Sequence, residues 1–485
     1  MKKLMTLVLA AGMFVAAAAP ASAIEFKAEG EWLMGFAVGD ADFVKKVDGK
    51  KINNNDKFTA GQRVRLQLEA VANENLSGTV AFEIGDNTWG NSETGGALGA
   101  DSVCVELKNA YIDWAIPDTE LSVRMGIQAV VLPSVAGGSA ILDDDVAGII
   151  ASYKFTDEIA LSAMWFRPDN DNFGGDDEDS ATYLDNVDLI ALALDMNFDG
   201  FQITPWVMYG MMGRNNQFYG DHYDGRFNTA DYDGRSGQYA NAFWAGIPFV
   251  ISAFDPLNIE VDLNYGYMDS MGKGWLEKAD GSLKRYDTKM EGWLAKALVE
   301  YAMDWGTPGI FGWYASGDDS NPKNGSERMP TVSPCNGFTP FMGDGNFAWS
   351  SGALYDLNLD FAGTWGIGIQ IADMSFIEDL SHTFSVTYWG GTNSPSMAKY
   401  ASLASAWGYD SDNAYMEGLY LTTNDAILEF NLVSSYQMYE NFEINLELGY
   451  LVNFIDHDTW KKANGGNNYS KQDAWKAQVI FAYSF

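Results

Sequence analysis

The last eleven residues of the chain alternate almost without fault: Trp475, Ala477, Val479, Phe481, Tyr483 and Phe485 fall on one face, and Lys476, Gln478 and Ser484 on the other. This is the pattern of a strand with lipid on one side and water on the other. Its aromatic ends stand ten residues apart. On a strand tilted by about 40° that separation spans roughly 25 Å, the height of the apolar band of a membrane barrel. An amphipathic edge strand of a soluble sandwich alternates in the same way, so the segment alone leaves two fold classes open.

The other end of the chain sets the compartment. Lys2 and Lys3 precede an apolar run from Leu4 to about Ala19, and Ala21, Ser22 and Ala23 form an A-x-A cleavage site. Residues 1–23 therefore read as a secretory leader that is removed. No later run of 18 apolar residues follows, which excludes a helical membrane protein and leaves a soluble exported protein or a barrel. Loss of the two leader lysines takes the net charge from −36 to −38. So acidic a chain argues against a nucleic-acid partner. Aromatics at 14% and 50 glycines suit strands, turns and interfacial girdles better than acidic disorder. The mean hydropathy of −0.16 is compatible with a membrane barrel, in which every second residue faces water.

Period-two patterning yields 18 candidate strands, with 16 as the alternative count, and two strictly alternating kinds of connection. Tight turns fall at Asn73-Glu74-Asn75, Pro117-Asp118-Thr119, Thr156-Asp157-Glu158, Asp199-Gly200, Asp255-Pro256, Trp305-Gly306-Thr307-Pro308, Phe376 to Leu380, and Tyr439-Glu440-Asn441. Each is followed one strand later by a long polar loop. A sandwich with Greek-key connections has no reason to alternate loop length, whereas a transmembrane barrel does so between its periplasmic and extracellular ends. The expected fold is all-β: one transmembrane antiparallel β-barrel over residues 24–485.

Clear lipid faces recur, as in Ile190, Leu192, Leu194, Met196 and Phe198, or Trp293, Ala295, Ala297, Val299 and Tyr301. Asp188, Glu260, Asp262, Lys296, Glu300, Glu443 and Glu447 are expected in a wet lumen. Between Val103 and Ile116 the phase flips, since Val105 and Leu107 lie on one phase and Ile112 and Trp114 on the other. A β-bulge produces such a flip. Barrels of 16 to 18 strands enclose an aqueous channel, so the pattern predicts a passive porin in the cell outer membrane. Because strand patterning starts directly after the cleavage site, a plug domain like that of a 22-stranded transporter is not expected.

The chain resembles the outer-membrane homotrimeric porins of anaerobic sulfate-reducing bacteria, at Ile24-Glu-Phe-Lys-Ala-Glu-Gly-Glu-Trp-Leu-Met-Gly-Phe-Ala-Val-Gly39 and at Phe481-Ala-Tyr-Ser-Phe485. The resemblance implies a homotrimer passing small hydrophilic solutes and ions, with outer-membrane lipid and lipopolysaccharide around it. It also implies that the third external loop, about Val130 to Asp145, narrows the pore opposite a basic wall. Carried over, the acidic loop residues are Asp143, Asp144 and Asp145, and the wall is Arg63, Arg65, Lys108 and Arg124. The transverse field between them would favour small polar or charged solutes. The loop is short and apolar at Val130, Val131 and Leu132, which leaves its depth of insertion open, and the three aspartates can equally start the next strand. The total charge favours cations. Wall arginines at the narrowest point would instead pass small anions such as sulfate, so the direction of selectivity stays open.

No cofactor and no dedicated metal site are expected. Asp169-Asn-Asp-Asn-Phe-Gly174 begins like a calcium loop, but position five is Phe173 and position twelve is Ser180 where a bidentate Glu belongs. Loosely held divalent cations at such acidic external loops are the expectation instead. His222, His382 and His457 show no metal-ligand spacing. Cys104 and Cys335, the only cysteines, can pair, stay free or bond between subunits. No G-x-S-x-G elbow or similar constellation stands out, so a barrel enzyme is not expected. A solute-selective channel or a surface adhesin remains an alternative use of the long loops.

Overall fold

The computed structural model describes residues 24–51, 58–99, 105–170, 186–213, 227–235, 240–345, 357, 359–401, 419–463, 466 and 468–485. The leader 1–23, Cys104, His222 and most of the calcium-like loop lie outside the described residues. The strands are β1 (Glu25–Asp40), β2 (Phe58–Asn73), β3 (Leu76–Thr88), β4 (Val105–Ala115), β5 (Leu121–Val131) and β6 (Asp143–Lys154). They continue as β7 (Ile159–Asn170), β8 (Asn186–Phe198), β9 (Phe201–Ile203 with Trp206–Met212), β10 (Ala240–Phe254), β11 (Leu257–Met268) and β12 (Met290–Tyr301). The ring is completed by β13 (Thr307–Ala315), β14 (Thr364–Ile377), β15 (Leu380–Gly391), β16 (Ala426–Tyr439), β17 (Phe442–Asn453) and β18 (Ala474–Ser484).

Every strand pairs antiparallel with its sequence neighbour, and β1 pairs with both β2 and β18, so the sheet closes as an 18-strand barrel. The seam is completed by Gly30 and Phe485, whose backbones exchange hydrogen bonds of 2.8 and 3.0 Å. The two pieces of β9 are one stave. Pro205 has no N–H to give and breaks the ladder there, while its carbonyl still accepts from Leu194 N at 3.0 Å.

The short connections sit where the sequence predicts them, and turn chemistry explains several. Asn73 Oδ1 accepts from Asn75 N at 2.9 Å, an Asx turn that closes a hairpin in which Asn73 faces Leu76. Thr156 Oγ1 accepts from the N–H groups of Glu158 and Ile159 at 3.2 and 3.1 Å. The predicted phase flip is a bulge: Ala81 faces Asn109 and the next residue, Phe82, faces Leu107, so Lys108 is the inserted residue. Above the long-loop end, two small three-stranded sheets stand on the rim, one of Thr229–Arg235, Gly272–Glu277 and Leu283–Asp287 and one of Val44–Val47, Lys50–Lys51 and Tyr469–Lys471.

The outward parity of the strands is apolar and exposed, as at Phe26, Trp32, Ile190, Leu192, Trp293 and Tyr483. An exposed apolar band around a closed barrel is stable only in lipid. Asp188 departs from the sequence expectation of a lumen position. It shares the outward phase of Ile190 and Leu192, and it accepts at the rim from Trp165 Nε1 at 2.9 Å and from Arg167 at 2.9 and 3.0 Å. Inside, the inward parity from β8 to β15 is largely apolar and buried, with Leu189, Trp206, Trp244, Phe311, Trp313 and Trp389. Loops that turn back into the barrel cover these side chains, so a hydrophobic core lies within the upper lumen.

Candidate functional site

Two long connections build the interior. The third, residues 132–142 between β5 and β6, runs beside residues 332–337 of the seventh, which spans 316–363 between β13 and β14. Backbone bonds zip them together: Cys335 N to Ser139 O at 2.7 Å, Val332 N to Ile141 O at 2.8 Å, Gly337 N to Gly137 O at 3.0 Å and Asp143 N to Ser333 O at 2.8 Å.

Each loop is fixed to a distant wall. The tip of the third loop meets Asp262 on β11 and Lys296 on β12, which face each other in register and form an ion pair at 3.2 Å with side chains only 2% and 0% exposed. The seventh loop presents the backbone N–H groups of Phe341 and Met342 to Glu429 on β16, at 3.3 and 3.2 Å. The same carboxylate accepts from Trp389 Nε1 at 2.8 Å. Lys476 on β18 donates to Pro340 O, pairs with Glu447 on β17 at 3.4 Å and lies 5.3 Å from the Phe341 ring centre. Asp262, Lys296 and Glu447, expected in open water, are thus dehydrated beneath the loops, and hydrogen bonds on every side make that burial tolerable.

Phe338 of the seventh loop stacks on Phe311 and Trp313 with ring centres 4.8 and 5.7 Å apart. Burial is the main force on the seventh loop's titratable groups: it pushes Asp344 up to about 6, helped by the nearby Asp360 and Asp143 and opposed by the Asn336 N–H. It pushes the Cys335 thiol up to about 12. Cys335 is a free thiol.

The wall from β1 to β5 remains polar, and it holds the four sequence-predicted bases. Each pairs with a carboxylate of its own. Arg63, buried, lies 3.8 Å from Asp86. Arg65 Nε donates to Glu83 at 2.7 Å. Lys108 and Asn109 Nδ2 together hold the Asp145 carboxylate, the latter at 2.7 Å. Arg124 grips Asp113 through two bonds of 2.7 and 2.9 Å and lies 4.2 Å over the Tyr111 ring.

The three aspartates open β6 rather than facing the bases across a gap. Asp144 accepts from Ser333 Oγ at 2.8 Å and so helps to join the loops, and Asp143 stands beside Cys335. Of the three, Asp145 meets one of the four bases, Lys108. On the inward parity nearer the short-turn end, Glu29, Glu260, Glu300 and Glu443 bond to Gln67, Asn258, Gln370 and Ser435 respectively. Among the described residues none of these four is in an ion pair. No metal-holding cluster of His, Cys, Asp or Glu occurs among the described residues.

The residues that anchor the loops were not assigned that role by sequence reasoning. Lys296 and Asp262 are more than 120 positions from the loop they hold. A usable signal was the apolar content of the loops themselves, with Leu132, Ile141 and Leu142 in one and Phe338, Phe341 and Met342 in the other, because apolar side chains in an external loop call for a buried destination.

No known family pattern matches the chain, and no curated protein matches it in sequence. Solved structures do. OccK8 (OprE) of Pseudomonas aeruginosa superposes with a TM-score of 0.50 at 10% identity, over 95% of this chain and 98% of that one. OccK11 (OpdR) of the same organism gives 0.48 at 12% identity, over 95% and 96%. OccK1 (OpdK) gives 0.48 at 10%, over 95% and 98%. The fold is that of outer-membrane porin barrels.

Proposed function

We propose that the chain is an outer-membrane channel for the passive passage of small hydrophilic solutes and ions, and that it favours cations. One observation carries the reading. The upper barrel interior is dry and loop-filled along β8–β15, while the wall of β1–β5 keeps hydrated charges, with the side chains of Arg65, Asp113 and Arg124 exposed by 36, 38 and 41%. A hydrated polar track beside a dry wall is a path for solutes that carry water with them. The bases on that track are neutralised one by one, and below the loops, nearer the short-turn end, carboxylates outside any ion pair at Glu29 on β1, Glu260 on β11, Glu300 on β12 and Glu443 on β17 set the field. A channel for small anions such as sulfate would need these bases unneutralised.

The test is single-channel current in a planar bilayer under a salt gradient, with mature protein. Steps of conductance with a reversal potential of cation-preferring sign are expected. Absence of conductance from folded, inserted protein overturns the channel, and an anion-preferring potential overturns the charge assignment. Homotrimeric assembly and contact with lipopolysaccharide and outer-membrane lipid are part of the same proposal. They are supported by the porin resemblance and by the small lipid-facing Ala295 and Ala297. Triplet conductance steps and a high-mass band in unheated gels are the expected signs.

A further inference from the structure

We infer that the Asp262–Lys296 pair is a latch that positions the third loop and thereby sets the aperture of the channel, rather than a brace between β11 and β12. The conductance consequence rests on the channel reading above. The latch itself rests on contacts alone.

The pair sits six strands from the loop's own staves, a third of the way round the ring, so the loop spans a chord of the lumen. Its polarity is matched group by group. Asp262 accepts from Val135 N at 3.1 and 3.2 Å, from Ala136 N at 2.9 Å and from Ser134 Oγ at 2.9 Å. Lys296 donates to Ala136 O at 2.6 Å, to Ser134 Oγ at 3.1 Å and to Gly138 O. The ammonium's donors are taken by loop oxygens and by Asp262, and the carboxylate lies in a concavity of successive N–H groups. Gly137 and Gly138, at φ of 63° and 81°, turn the chain so that these groups converge, a conformation that costs other residues.

Between neighbouring strands an ion pair alone needs neither a loop nor dehydration. This pair is buried because the loop covers it. Without the loop the pair would lose these seven bonds, and with it both charges are satisfied; Phe361 of the seventh loop adds its ring, centred 4.9 Å from Lys296 Nζ.

The experiment uses full-length mature protein with Cys104→Ser, so that Cys335 is the only thiol. Cys335 lies directly behind the docked loop: its N–H bonds to Ser139 O at 2.7 Å, and a methyl group on Gly138 would sit 3.0 Å from its Sγ. Modification of Cys335 by a small charged maleimide, followed by mass, therefore reports undocking without requiring conductance. The decisive variant is the swap Asp262→Lys with Lys296→Asp. It keeps an ion pair between the strands but turns an ammonium toward N–H groups and a carboxylate toward carbonyls.

At least tenfold faster labelling in the swap and in Lys296→Met is expected, with larger or noisier conductance and an unchanged heat-modifiable barrel on gels. Labelling at the original rate in a folded swap overturns the latch, because a simple brace would be restored. Should the swap fail to insert, Ser134→Ala removes two loop bonds while leaving the wall intact, and it must still accelerate labelling severalfold or the latch fails. Accelerated labelling with no conductance in any form keeps the latch and removes the channel.

Discussion

Asp344 shows what enclosure does to one side chain. It accepts from Asn336 N at 3.0 Å within a loop folded into the barrel, and burial followed by the neighbouring Asp360 and Asp143 raises its carboxyl from 3.8 to about 6. The docked loop thus binds the proton more tightly than an undocked one. Docking is then fully favoured below about pH 4 and weakens as pH rises through about 6. Channel conductance should climb between pH 5 and pH 7, and Asp344→Asn should remove the component centred near pH 6. Identical pH profiles for the two proteins would refute the assignment. At this scale the sequence was partly legible. Lys108 as a bulge could be read from the phase flip around it, and Asp188 could have been placed outward by counting two residues back from Ile190. The enclosure of Asp344 could not, since no local pattern marks which loop carboxylate will lose its water.

Strands and turns were the most legible level, because a period of two and a turn residue are local properties. Six connections are two-residue hairpins, closing at Asn73/Leu76, Phe198/Phe201, Phe254/Leu257, Met303/Gly306, Ile377/Leu380 and Tyr439/Phe442. What local pattern did not reveal is why glycine is so frequent inside strands, where it has no side chain to pack. In several ladders an aromatic ring lies over a glycine on the paired strand: Trp206 over Gly246, Trp313 over Gly366, Phe311 over Gly368 and Trp365 over Gly390. The ring covers backbone that the glycine leaves bare, the arrangement known as aromatic rescue. A Cβ on Gly366 would stand 2.3 Å from the buried Trp313 ring. Gly366→Val should therefore cost about 1–3 kcal/mol of barrel stability through overpacking. Gly78→Val should cost little, because its Cβ meets only the Tyr111 carbonyl at 4.0 Å. Equal unfolding midpoints in detergent and urea for the two variants would contradict this account.

For the molecule as a whole, the barrel was readable and its filling was not. Alternation specifies a stave, and alternating loop lengths specify the ring. Contacts between residues 134–138 and residues 262 and 296 leave no trace in periodicity, so the sequence predicts a uniformly wet lumen where the structure has one dry wall and one wet wall. Selectivity from the carboxylates below the loops depends on how far their charges reach. The screening length is about 10 Å at 0.1 M salt and about 3 Å at 1 M. The cation preference should accordingly be strong at 0.1 M and fall toward the ratio of bulk mobilities at 1 M, read from reversal potentials at a fixed gradient. A preference independent of salt would mean that close coordination, not wall charge, selects the ion.

The wall pair grips the third loop almost entirely by its backbone: of the loop's side chains, only the Ser134 hydroxyl bonds to Asp262 and Lys296, while Leu132, Ile141 and Leu142 are buried elsewhere in the core. Recognition of peptide groups is blind to the side chains attached to them. The segment can thus accept mutations at its solute-facing positions without losing its seat, provided its two glycines and the wall pair are kept. Inheritance therefore acts on two separable traits, the width of the passage and the chemistry of its lip, and the second can diversify while the first stays fixed.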